Sequence, residues 1–176
     1  MLKFGDEDIE EYVLVYHMSK VKVEEPRIIK TGKPKDFGYG FYVTKIKEQA
    51  IDFANSPKFE GKGILNTYKF YPKRLHGLNN KLFNGVNWEW LQFAFECRRD
   101  VPHEYATVEG AVADDDVWNA ESLMIEKAYS REEILNYVRF KKRTQQICFL
   151  TVESLNALEF LRSTEVYSSN TQRKRR

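Results

Sequence analysis

Short apolar runs and helical stripes alternate along this chain. Tyr12 to His17 is β-branched and aromatic and predicts a buried strand. Val21 to Pro34 mixes proline, lysine and glutamate and reads as a surface loop. It leads into Lys35 to Thr44, where Gly38 and Gly40 bracket Tyr39, and Phe41, Tyr42 and Val43 open a second strand. Ile46, Ala50, Phe53 and Ala54 then recur at helical spacing, which predicts a helix over about 45–54 capped by Thr44. Asn55, Ser56 and Pro57 stop it.

A turn at Gly61 to Gly63 precedes a strand from Ile64 to Phe70. Residues 73–84 read as a polar loop tied to the core by Leu75, Leu78, Leu82 and Phe83. Trp88 to Cys97 is dense in large apolar groups at helical spacing and predicts the helix that anchors the core, closed by Arg98 and Arg99. Tyr105 to Val112 is a strand candidate, and Asn119 to Tyr129 a helix. Ser130 and Glu133 form a capping box for a helix running to about Lys142, with Ile134, Leu135 and Val138 inward. Gln145 to Leu150 predicts a short buried strand, and Thr151 caps a last helix carrying Leu155, Leu158 and Leu161. Strands and helices mixed in this order imply an α+β domain over residues 1–163, and 164–176 read as a disordered basic tail.

Composition narrows the setting. With 176 residues, 42% of them hydrophobic and 14% aromatic, the chain is long enough for one domain with a proper core. Four of its 28 bases are Arg173, Lys174, Arg175 and Arg176, which leaves 24 bases against 26 acids in the body. The body thus carries no global field for nucleic acid, and the terminal cluster offers only salt-sensitive, non-specific attraction. Cys97 and Cys148 make no disulfide framework, and neither they nor His17, His76 and His103 show metal-ligand spacing. Asp114, Asp115 and Asp116 lack the glycine and distal glutamate of a calcium loop and read as a solvated turn. No apolar run approaches the ~20 residues that cross a bilayer, and no leader-like segment opens the chain, so a soluble, cytoplasmic protein is expected.

Two stretches can carry chemistry. In the first, His17 ends a buried strand with Ser19 on the same side of an extended chain. A capped strand end satisfies the same pattern. In the second, the glycines allow positive φ or close approach beside Tyr42, whose ring can lie against something flat. A strand–helix corner with aromatic core residues satisfies that pattern too.

Taken in order, Tyr16, His17 and Ser19, then Asp36, Phe37, Gly38, Gly40, Phe41, Tyr42 and Thr44, then Gln49 and Ala50, Phe53, Val112 to Asp115, and Gln146, Cys148 and Phe149 resemble the ADP-ribosyltransferase superfamily. The type is the histidine–tyrosine–glutamate one of diphtheria toxin and the poly(ADP-ribose) polymerases. The likeness is closer to a bacterial family of unknown function placed in that superfamily, with members often beside a small partner protein, as in toxin–antitoxin pairs. It covers about residues 11–162.

The resemblance implies a split antiparallel β core of two small packed sheets with peripheral helices, and NAD⁺ as substrate without a metal. His17, with Ser19, would hold the ribose or the carboxamide, Tyr42 and Phe53 would sandwich the nicotinamide, and Gly40 and Thr44 would complete the binding site. The acceptor of ADP-ribose is left open: protein, nucleic acid or small molecule. Where a glutamate is usual this chain has Gln145 and Gln146, and glutamine supplies hydrogen bonds but no charge. Either Asp114 or Asp115 provides the carboxylate, or turnover is limited, with an inactive nucleotide-binding or protein-interaction module as the alternative. Gln146 takes the catalytic-glutamate place in this comparison.

Overall fold

The computed structural model describes residues 10–113, 130–139 and 144–167. It is an α+β structure with two small sheets. β1 (Val13–Ser19), β3 (Lys62–Phe70) and β7 (Leu158–Tyr167) form an antiparallel sheet in the order β1-β3-β7. β2 (Phe41–Val43), β4 (Asn80–Leu82), β5 (Thr107–Gly110) and β6 (Gln146–Phe149) form the other, in the order β2-β6-β5-β4. Its β4–β5 pair is parallel, so the core is not antiparallel throughout. Residues 73–84, expected as loop, contain that edge strand, whose Leu82 is exposed and gives no apolar alternation to betray it.

A backbone bridge joins the two sheets. Tyr16 and Thr44 exchange backbone hydrogen bonds of 2.8 and 2.9 Å, linking β1 to the end of β2. Val15, Phe41, Val43, Tyr68, Phe70, Ile147 and Phe149 fill the space between the sheets. Each such side chain contributes about 1.5–3 kcal/mol through burial. A second core forms where Trp90, Leu91, Ala94 and Phe95 of α2 (Trp88–Arg98) meet Phe37, Val108 and Cys148. Asn87 caps α2 by accepting the Trp90 N–H at 2.9 Å, and the helix anchors the core as its spacing predicts. A third, smaller cluster seats α1 (Lys47–Asp52) through Ala50 on Met18 and Leu65, with Ala54 and Phe59 beside it.

α1 is shorter than the predicted helix and passes into a 3-10 turn at Phe53–Asn55. Thr44 does not cap it directly; its hydroxyl accepts the N–H of Ile46, the residue before the helix, at 3.1 Å. α3 (Arg131–Arg139) starts with the Ser130–Glu133 box as expected. Lys142, the predicted helix over 119–129, the inward placement of Val138 and the basic end of the chain lie outside what is described.

The clearest difference is at the carboxyl end. Thr151 does cap a helix, but α4 (Val152–Leu155) is a single turn, closed by a reciprocal box with Ser154. The chain then runs as β7 to Tyr167, past the expected domain end at 163. Leu155, Leu158 and Leu161 imitate a helical stripe because three-residue spacing over so short a stretch fits either state. Leu161 sits where the register shifts, an extra residue between those paired with Thr67 and Tyr68, and it is exposed.

Candidate functional site

A cleft of about 580 Å³ opens beside the seam between the sheets. His17, Tyr42, Thr44, Phe53 and Gln146 all line it. Ser19 and Gly40, expected at the same site, do not.

His17 stands one residue past the bridge that joins the sheets. Its Nδ1 lies 2.7 Å from the carbonyl oxygen of Tyr42, and its ring packs on Phe41 with centroids 4.5 Å apart. Burial holds the imidazole down at about 4, against the pull of the carbonyl, with Lys35 and Lys58 adding repulsion. At neutral pH the ring is therefore uncharged. Since the carbonyl can only accept, Nδ1 carries the hydrogen and Nε2 keeps its lone pair.

Tyr42 is held at its far end. Its hydroxyl donates to the Gly38 carbonyl at 2.8 Å and accepts the Phe37 N–H at 3.0 Å. Burial pushes the phenol far above its ordinary range, so it does not ionise. Gly38 has φ +91°, the left-handed region that glycine tolerates, and this turns its carbonyl to the phenol. The Lys35 ammonium sits 5.1 Å from the centre of the Tyr42 ring, so this ring already presents its face to a cation. Phe53 stands on the 3-10 turn after α1, about half exposed at 48%. Thr44 is buried, its hydroxyl engaged with Ile46.

Gly40 serves the fold. A Cβ there would collide with Cys148 Sγ and stand 2.6 Å from the Phe149 carbonyl oxygen, so only glycine lets β2 approach β6. Ser19 belongs to a different network. Asn66, wholly buried in β3, donates to Ser19 Oγ at 2.9 Å and accepts the Val23 N–H at 2.8 Å, pinning the chain as it leaves β1. Ser19 donates in turn to Val21.

Three residues to which the sequence assigned no part in the site complete the floor and rim. Asp36 is buried beside Arg98, which donates to Asp36 Oδ1 through Nε at 2.8 Å and through Nη2. Arg98 Nη2 also donates to the Ala113 carbonyl at 2.7 Å, so the arginine that closes α2 as expected also turns its guanidinium inward. Gln146 Nε2 donates to Asp36 Oδ2 at 2.8 Å. Gln145 points elsewhere: it contacts Glu109 and exchanges hydrogen bonds with Gln49, which lines the cleft. Lys58, on a second 3-10 turn at Pro57–Phe59, is the third. With Lys33, Lys35 and Arg98 it makes four cations against one carboxylate, Asp36, among the described lining residues. An aspartate just ahead of a Gly-x-Gly turn was the one available signal for this floor.

This arrangement suits an organic anion with a flat ring. It has an apolar, aromatic wall, a cationic rim and a lone-pair acceptor at His17 Nε2. No three His, Cys, Asp or Glu side chains converge as metal ligands among the described residues. Asp114 and Asp115, the alternative carboxylates, fall outside them. No helix among those residues is long and apolar enough to cross a membrane.

No curated protein matches the chain. A family model described as "Protein of unknown function (DUF3990)" matches residues 13–160, from β1 into β7. That span takes in each of the cleft residues described above, and the chain belongs to this family, DUF3990.

Proposed function

We propose that the cleft binds NAD⁺ and that the protein is a mono-ADP-ribosyltransferase-like enzyme. What carries this reading is the meeting of His17, Tyr42, Thr44, Phe53 and Gln146 on one cleft, although they come from β1, β2, the turn after α1 and β6.

The chemistry assigns tasks to His17, Tyr42 and Phe53, and to the lysines of the rim. In the transfer, the bond between nicotinamide and ribose C1′ breaks, nicotinamide leaves neutral with the bonding pair, and positive charge develops on C1′ and the ring oxygen. The acceptor nucleophile then bonds to C1′ and releases its proton. Neutral His17 accepts a ribose hydroxyl through Nε2. Tyr42 and Phe53 flank the nicotinamide, whose positive ring takes over the face on which Lys35 rests. Lys35 then turns to the diphosphate with Lys33 and Lys58. A toxin-like role, with a small neutralising protein as partner, follows from the family resemblance and is part of the proposal.

One observation favours a second reading. Asp36, the single carboxylate among the described lining residues, is held by Arg98, and Gln146 brings no charge. A module that binds NAD⁺ without turning it over fits that electrostatic floor. Calorimetry with NAD⁺ on the wild type, His17→Ala and Tyr42→Ala, paired with an assay of nicotinamide release, separates the readings. Binding lost in both variants, with release in the wild type, is the transferase outcome. Binding without release gives the module, and a folded wild type that ignores NAD⁺ sinks both.

A further inference from the structure

Gln146 commits both of its amide hydrogens inside the protein. Nε2 donates to Asp36 Oδ2 at 2.8 Å and to the Ala111 carbonyl at 3.3 Å. Both partners accept only, so the amide cannot be turned over, and Oε1 takes no part in these two bonds of a residue that lines the cleft. Asp36 is equally committed. Its oxygens accept from Arg98 Nε and Nη2, from the Ala113 N–H at 2.8 Å, and from Gln146. A neutral asparagine could not accept from so many donors without opposing one of them, so this position calls for a carboxylate.

We infer that Asp36, held by Arg98, is a positioning residue that fixes Gln146 with its oxygen toward the cleft, so that the site selects a ligand bringing hydroxyl donors, such as a ribose diol. His17 Nε2 is an acceptor too, so a ribose would meet two acceptors and no competing donor from these side chains. The ligand half of this inference rests on the nucleotide reading; the amide half rests on geometry alone. It also accounts for glutamine in the place of glutamate. A glutamate here would put a second carboxylate against Asp36, where only its protonated form could donate the hydrogen bond.

The test is Gln146→Glu. The titratable and charged groups at that point and around its cleft are Asp36 from the segment before β2, Arg98 from α2, Tyr42 from β2, Cys148 from β6, and His17, Lys33, Lys35 and Lys58. Burial pushes the Tyr42 and Cys148 protons up out of range and holds His17 at about 4, so none of these three titrates near neutrality. The new carboxyl should have a raised pKa. Its folded form then holds more protons than the unfolded chain, so stability relative to wild type falls as pH rises. Thermal unfolding of the ligand-free proteins from about pH 4, at the ordinary glutamate value, to about pH 8.5 reads this directly.

Near-parity at the acid end and a widening deficit above it are expected, and the NAD⁺ affinity of the variant should fall in parallel. Gln146→Met, which removes donor and acceptor together, should bind NAD⁺ about tenfold more weakly at every pH, as for one lost hydrogen bond. A Gln146→Glu deficit that does not change with pH would overturn the role of Asp36. Should the glutamate variant fail to fold, the side-chain amide protons of wild-type Gln146 decide by nuclear magnetic resonance. Slow exchange with solvent supports the fixed amide, and fast exchange overturns it. A wild type that does not bind NAD⁺ removes the hydroxyl-donor claim along with the nucleotide reading, while the unfolding series still rules on Asp36.

Discussion

The Nδ1 of His17 lies 2.7 Å from the carbonyl oxygen of Tyr42, one residue beyond the Tyr16–Thr44 bridge that joins the two sheets. The side chain of one sheet is thus oriented by the backbone of the other. Any change that loosens the seam should also loosen the histidine, which ties the integrity of the fold to that of the cleft.

The burial of that ring has a consequence for stability against pH. Burial holds His17 at about 4 in the folded protein, below the 6.5 of an unconstrained imidazole. The unfolded chain therefore binds a proton that the folded one refuses, and stability rises with pH between those values. The contribution is in full above the unfolded value and is lost as pH falls toward about 4, with a size up to about 3 kcal/mol. His17→Gln should flatten this part of the profile. Urea denaturation at a series of pH values checks it, and equal slopes for the two proteins would refute the buried neutral imidazole.

Phe53 offers a separation of binding from folding. It lines the cleft yet is 48% exposed, so its ring is only partly used by the core. Phe53→Ala should change stability by no more than about 1 kcal/mol, against the 3–5 kcal/mol typical of a fully buried phenylalanine. NAD⁺ affinity should drop about tenfold through lost ring contact. Calorimetry and denaturation on the same samples decide: an unchanged affinity would remove Phe53 from the site.

Gly40 behaves in the opposite way. It touches no ligand in the proposed scheme, but a methyl group there meets Cys148 Sγ and the Phe149 backbone. Backbone cannot rotate away as a side-chain tip can, so Gly40→Ala should cost about 2–3 kcal/mol or more. Because β2 carries Tyr42 and β6 carries Gln146, affinity should fall with stability rather than independently of it. A variant as stable as wild type in urea would show that β2 and β6 can part without harm.

How much of this was legible beforehand depended on the range of the interaction. β1, β3, α2 and the Ser130 box were legible because their signals are local: β-branched runs, an apolar helical face and a cap three residues from its partner. β4 and β7 were not. A three-residue edge strand with an exposed leucine has no period, and leucines three apart suit a helix as well as a bulged strand. In the site, His17, Tyr42, Phe53 and Gln146 could be named from their order. The roles of Asp36 and Arg98 could not, since their ion pair closes over 62 residues of chain and neither carries a local sign of its partner. Ser19 and Gly40 sat in the expected pattern for structural reasons: the first binds Asn66, the second makes room for β6.

The rim of the cleft yields the last prediction. Burial, with repulsion from Lys58 second, lowers the pKa of Lys35. An anion between or beside the two ammonium groups relieves that repulsion. A ligand with a diphosphate should therefore bind with a clear dependence on ionic strength, weakening as salt screens the rim. Lys35→Gln with Lys58→Gln should lower NAD⁺ affinity and flatten its salt dependence, while leaving stability unchanged or slightly raised because the repulsion is gone. Nicotinamide mononucleotide, with a single phosphate, should lose less than NAD⁺ does. Titrations of both ligands at low and high salt test this. If the double variant keeps the wild-type salt dependence, the lysines do not face the phosphates, and the cationic rim must serve another part of the ligand or the acceptor.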